Sequence, residues 1–276
     1  VLTLMICIVF AISGCSSTKE KSVISNNTIN NDVAETDETQ VESGNQYTNT
    51  TEPINEDLTK KNQTVGELSD KVIVIDAGHG INSYNKQEAI APNTSETKAA
   101  FASGTKGVSQ TEEQLNLSVA LKLQNELEKT GAKIYMTRIT HESDMTNIDR
   151  AKFANDLNAD LSVKIHADGS DNSSIHGVSV LIPGTQYIND SYVISESRKA
   201  GECVLEGFVN STDAYNRGIS VRNDLTGFNW STVPIILIEM GFMTNPDEDK
   251  MMGSNDYQDK MVQGIVNGIK KYFKGE

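Results

Sequence analysis

From Lys71 onward the chain alternates short, uninterrupted apolar runs with stretches of helical period, and no other feature restricts its fold as strongly. Val72-Ile73-Val74-Ile75 is β-branched throughout and stops at Asp76-Ala77-Gly78, the pattern of a strand buried on both faces. Residues 81–110 are polar and rich in Gly, Ser and Thr, and read as a long loop. Leu115, Val119, Leu123 and Leu127 then recur at helical spacing, with Gly131 closing the helix near Thr130. Lys133–Thr137 is the next strand. Thr146 and Asp149 form a capping-box start for a helix to about Asn155. Leu161–Ile165 and Gly177–Ile182 are further strands, followed by a helix near 191–209. Pro234–Ile238 is another apolar strand, and the chain ends in a helix near 255–273 that presents Met261, Ile265, Ile269 and Tyr272 on one side. Strands alternating with helices predict one α/β domain over 71–276, with a mostly parallel twisted sheet and helices on both faces.

The first seventy residues do not follow this pattern. Residues 1–14 are almost purely apolar and end in small residues before Cys15, like the core and cleavage site of an export signal, and the run is too short for a permanent membrane span. Ile12-Ser13-Gly14-Cys15 resembles a bacterial lipobox, with Ile at the position usually Leu. That resemblance implies a lipid on Cys15 and retention at the outer face of the cytoplasmic membrane; an ordinary cleaved signal is the alternative. Residues 16–70 carry four Lys against eleven Asp and Glu, half of the net charge of −14, and scarcely any large apolar residue. Such a segment cannot bury enough surface to offset its ordering entropy, so it reads as a polar linker. No basic tract suits nucleic-acid binding. With Cys7 in the signal and Cys15 at its end, Cys203 is left alone, which excludes a disulfide framework; its helical, apolar-periodic setting predicts a buried thiol.

In open α/β sheets ligands bind beyond the carboxyl ends of the strands. His79 follows the first strand, His166 directly follows Leu161–Ile165, and Glu239 ends Pro234–Ile238. Glu112 opens the helix after the long loop, at the same edge. Two neutral imidazoles and one carboxylate make a common catalytic zinc set with a position open for water. A second carboxylate must then handle protons, and Glu239 suits that task because burial after five apolar residues raises its pKa. Taken singly, each of these residues also has a structural reading; their shared address carries the argument. His141 lies in a polar loop and is expected in solvent. His176 precedes a strand and would fall at the opposite edge if that strand is parallel.

These segments resemble the zinc-dependent N-acetylmuramoyl-L-alanine amidases of bacterial cell walls, the Amidase_3 type. Ile75-Asp76-Ala77-Gly78-His79-Gly80 is similar to the family's Asp-Pro-Gly-His-Gly, and Glu112-Glu113-Gln114-Leu115-Asn116-Leu117 to its Glu-Lys-x-x-Asn-Leu. Val163-Lys164-Ile165-His166-Ala167-Asp168 is similar to Ser-Ile-His-Ala-Asn, with departures at Lys164 and Asp168, and the segment 234–246 is similar to the family's closing motif. The resemblance spans about 71–273. It implies Zn²⁺ on His79, Glu112 (rather than Glu113) and His166, and Glu239 as acid/base. Thr137-Arg138 and Arg150 also match family positions and are left outside the catalytic set. The implied reaction is hydrolysis of the amide between N-acetylmuramic acid and L-alanine in peptidoglycan. A zinc peptidase or deacetylase, or an inactive wall-binding lipoprotein, are the competing readings; serine chemistry is weak, since no Gly-x-Ser-x-Gly occurs.

Overall fold

The computed structural model describes residues 66–82 and 84–276. The expected signal, its Cys15 and the linker as far as residue 65 lie outside the described residues. Residues 66–70, read from sequence as the end of the linker, are packed: Leu68 is buried and its N–H donates to the Thr130 carbonyl at 3.0 Å.

The apolar runs become the centre of a six-stranded sheet. In chain order the elements are β1 (Val72–Ala77), β2 (Gln87–Ala89), β3 (Thr97–Ala99), α1 (Glu112–Glu128), β4 (Lys133–Met136), α2 (Asn147–Asp156), β5 (Leu161–Asp168), β6 (Val178–Pro183), α3 (Ser191–Thr212), β7 (Asn216–Arg222), α4 (Thr226–Asn229), β8 (Ile235–Phe242), α5 (Pro246–Met252) and α6 (Asn255–Lys274). The sheet order is β4-β1-β5-β8-β6-β7. β4, β1, β5 and β8 run parallel; β6 runs antiparallel to β8, and β7 parallel to β6. The reversal at β6 brings its first residues to the carboxyl edge of β8, with Ser179 opposite Glu239. His176 therefore lies at that edge, because the strand after it is not parallel to β8. Its ring is exposed and rests against Tyr215, 5.3 Å between centroids.

Period-2 alternation divides the buried side chains between two faces. Ile73, Ile75, Val163, Ile165, Ile236 and Ile238 face the main core with α1, α3 and α6. On the other face Val74 packs with Ala154 of α2, and Leu181, Ile235 and Leu237 pack with Phe228 of α4. Asp76, Lys164, His166 and Glu239 are in phase with this second set, in the gap between its two small clusters. α2 starts at the expected capping box, with Thr146 accepting from the Asp149 N–H.

Several expectations need correction. His166 and Glu239 are inside β5 and β8, not beyond their ends, since both strands continue past the apolar run. The loop 81–110 contains the antiparallel pair β2–β3. The edge strand β7 was missed: its side chains are exposed or half-buried, so its sequence carries no apolar run. Cys203 is half-buried, with burial raising its thiol pKa above the ordinary value.

Candidate metal centre

The turn after β1 is built to hold one imidazole. His79 has a left-handed backbone (φ 62°), and Gly80 follows at φ 142°. Two buried guanidinium groups brace this turn by its carbonyls. Arg138 donates from Nε to Ala77 O at 2.8 Å and from Nη2 to Gly78 O at 2.8 Å; Arg150 donates from Nη2 to His79 O at 2.6 Å. Beneath them Asp76, 2% exposed, accepts from Thr137 Oγ1 at 2.7 Å, from Arg150 Nη1 at 2.5 Å, and from Lys164 Nζ. Burial alone would push the Asp76 carboxyl up; the charges of Lys164 and Arg150 outweigh it and hold the group well below its ordinary range.

Glu112 is the first residue of α1 and the hub of the site. Its Oε1 lies 3.0 Å from His79 Nε2 and 3.0 Å from His166 Nδ1, and also accepts from Ala167 N–H at 3.2 Å. Its Oε2 accepts from Thr105 N–H at 2.8 Å. Hydrogen bonds from His166 and His79 overcome the effect of burial and keep the carboxyl ionised below the usual range. Burial lowers the His166 pKa to about 4, so the ring is neutral at physiological pH, as a metal ligand must be. The donor atoms of His79, Glu112 and His166 all lie within 4.8 Å of one another. The other ring nitrogen of His79, Nδ1, meets the Ala102 carbonyl at 2.8 Å, the outer hydrogen bond that a ligating histidine needs. The residues therefore fit an ion held by two imidazoles and one carboxylate.

Glu239 has a different environment. Its Oε2 is buried without a hydrogen-bond partner among the described residues. Burial, then the negative charges of Glu112 and Asp168, push its pKa well above the ordinary carboxylate value, with Arg222 partly opposing. It lines one groove, of about 860 Å³, together with His79, Glu112 and His166; Leu181 and Leu237 are among its apolar residues.

The structure brings His79, Glu112, His166 and Glu239 to one groove. Glu113 turns away, its Oε2 3.0 Å from His141 Nδ1, which leaves Glu112 as the carboxylate of the group. The sequence reading set Arg138 and Arg150 aside without a role and gave none to Asp76 and Lys164, and these four form the support. Asp76 had the same signal as Glu239, a carboxylate directly after a buried apolar run.

The family model described as N-acetylmuramoyl-L-alanine amidase (Amidase_3) matches residues 73–271. An uncharacterized protein of Bacillus subtilis (strain 168), YqiI, is 29% identical over 212 residues, 76% of this chain and 89% of its own length. The N-acetylmuramoyl-L-alanine amidase LytC of the same organism is 25% identical over 214 residues; the match covers 78% of this chain but only 37% of LytC. Among solved structures, the apo form of the N-acetylmuramyl-L-alanine amidase Ami1 of Mycobacterium abscessus aligns with a TM-score of 0.69 at 26% identity, over 75% of this chain and 100% of that one. An N-acetylmuramoyl-L-alanine amidase of Clostridium difficile 630 aligns at 0.63 and 27%, over 75% of this chain and 99% of its own. A match that opens in the first core strand and closes in the last helix takes in the whole sheet and every group of the site, and the chain belongs to the Amidase_3 family of N-acetylmuramoyl-L-alanine amidases.

Proposed function

We propose that the protein is a zinc-dependent N-acetylmuramoyl-L-alanine amidase that cleaves the amide between the lactyl group of N-acetylmuramic acid and the L-alanine of the stem peptide. The observation that carries this reading is Glu239 Oε2, buried with no hydrogen-bond partner among the described residues, in one groove with a three-donor group. His79, Glu112 and His166 would hold the ion. Bound there, zinc would supply Lewis acidity and bring the pKa of a water toward ~7.

The chain's own residues account for the proton path. Glu239 Oε2, with no competing hydrogen bond, accepts a proton from the attacking water as it adds to the amide carbon. It returns that proton to the amide nitrogen as the C–N bond breaks, so alanine leaves as a free amine and the lactyl group as a carboxylic acid, whose proton then passes to the amine or to solvent. Its raised pKa suits a group that must both take and give a proton. Arg138 and Arg150 keep His79 in place and touch no reacting atom.

The test is a muropeptide digest with wild type, Glu239→Gln and chelator-treated protein, scoring free L-alanine amino termini against new reducing sugar ends. We expect new amino termini without reducing ends, a rate about 10²–10⁴-fold lower for Glu239→Gln, and loss of activity with chelator that zinc restores. Undiminished turnover by Glu239→Gln would remove Glu239 as the acid/base. Export and lipid attachment at Cys15 belong to the same reading; Cys15→Ser should then move the protein from the membrane fraction to the medium or wall.

A further inference from the structure

The segment read from sequence as an undivided loop is fastened in a way that leads to His79. Glu88 is the buried residue of β2, 6% exposed. Its Oε1 accepts from Asn147 Nδ2 at 2.8 Å and its Oε2 from the Ile148 N–H at 3.1 Å. Both donors belong to the first turn of α2, where the helix dipole favours a negative charge. The same Asn147 nitrogen donates to the Ala100 carbonyl at 3.1 Å. That bond fixes the chain two residues before Ala102, whose carbonyl meets His79 Nδ1. On the other side of the hairpin, Trp230 Nε1 and Asn229 Nδ2 donate to the carbonyls of Ala89 and Ile90 at 2.9 and 3.0 Å. α2 thus acts on His79 twice, through Arg150 at its backbone and through Asn147, Ala100 and Ala102 at its ring.

We propose that Glu88 is a positioning residue for the metal centre. Through Asn147 it seats residues 100–102, so that the Ala102 carbonyl holds the Nδ1 proton of His79 and Nε2, on the Glu112 side of the ring, is the nitrogen left to ligate an ion. Outer partners of this kind set ring orientation and tautomer, and losing one typically weakens metal binding by about 10–100-fold. A purely structural Glu88 would instead lower stability without a selective effect on the ion. The inference rests on the metal-centre reading above.

The experiment compares wild type, Glu88→Ala, Glu88→Gln and, as a stability control far from the site, Leu127→Ala. Zinc affinity is read by competition with a chromogenic chelator. The His79 Nδ1 proton is followed in ¹H–¹⁵N spectra of the zinc-loaded protein. Wild type should bind zinc and show a slowly exchanging Nδ1–H. Glu88→Ala should bind zinc about 10–100-fold more weakly and exchange that proton much faster. Glu88→Gln, which keeps one acceptor oxygen, should recover most of both. Leu127→Ala should lose stability and keep its zinc affinity. If Glu88→Ala does not fold, Asn147→Ala replaces it with the same expected losses. Zinc affinity in Glu88→Ala, or in the Asn147→Ala that replaces it, equal to wild type, an unchanged Nδ1–H, or an equal loss of affinity in Leu127→Ala would overturn the inference. A wild type that binds no zinc would overturn the metal centre itself, and the role of Glu88 with it.

Discussion

A non-glycine residue at positive φ is held there against a cost of order 1–3 kcal/mol, and His79 is such a residue at the metal centre; Asn93, Asn158 and Asp213 are others elsewhere among the described residues. Among the carbonyls that Arg138 and Arg150 bind are those of three successive residues, Ala77, Gly78 and His79, so the guanidinium groups offset the His79 strain where it arises. Gly104 faces the same group from the other side. It sits at φ 74°, and a Cβ there would lie 2.6 Å from Glu112 Oε2 and 2.8 Å from His79 Cδ2. Gly104→Ala should therefore weaken zinc binding at least tenfold by pushing two donors apart, an effect of the size seen when ligand support is lost. Isothermal titration with zinc reads it, and unchanged affinity would show that the ligands have room to move. His79, His166 and Glu239 were legible in the sequence because each stands at the end of an apolar run. Gly104 and Glu88 were not: their contacts come from residues far along the chain or across a hairpin, and nothing in their immediate neighbours marks them.

At the scale of elements, Asp76 ties β1 to β5 through Lys164, to α2 through Arg150, and to the end of β4 through Thr137. A carboxyl held below its ordinary pKa in the folded state stabilises that state above the unfolded value, 3.8, and the stabilisation is lost as pH falls from there toward the folded value. Urea unfolding should thus show stability dropping below about pH 4. Asp76→Asn should flatten that part of the profile. It should also cost about 3–5 kcal/mol at pH 7, since it leaves two buried cations short of a partner. A profile unchanged by the substitution would assign the acid sensitivity to other carboxylates. The elements themselves were readable where periodicity was strong: β1, β5 and β8 from apolar runs, α1 and α6 from helical spacing. β7 and the β2–β3 hairpin were not, because half-exposed strands take their stability from ladder partners instead of from a sequence pattern.

Over the whole molecule, two terms decide stability apart from the general core. One is the close approach of α3 and α6, where a Cβ on Gly268 would come within 2.5 Å of Val204 Cα and 2.6 Å of the Cys203 carbonyl oxygen. Gly268→Ala should cost about 1–3 kcal/mol by overpacking, read in urea, while zinc affinity stays as in wild type. The other, on the proposed reading, is the ion: zinc at 100 times its dissociation constant would add about 2.7 kcal/mol. A chelator should then lower the melting temperature by roughly 5–10 °C for a folded unit of this size, and no shift would argue against a bound ion. Parallel strands also give the folded unit two unlike ends. Residues 66–71 pack beside the last turn of α1, where β1 and β4 begin, while His79 and Glu112 stand about 20 Å away, past the length of β1. A tag or solid support joined upstream of residue 66 takes hold of the blunt end, so beads carrying the protein in that orientation should present their grooves to the medium and digest insoluble wall fragments as readily as the free protein does.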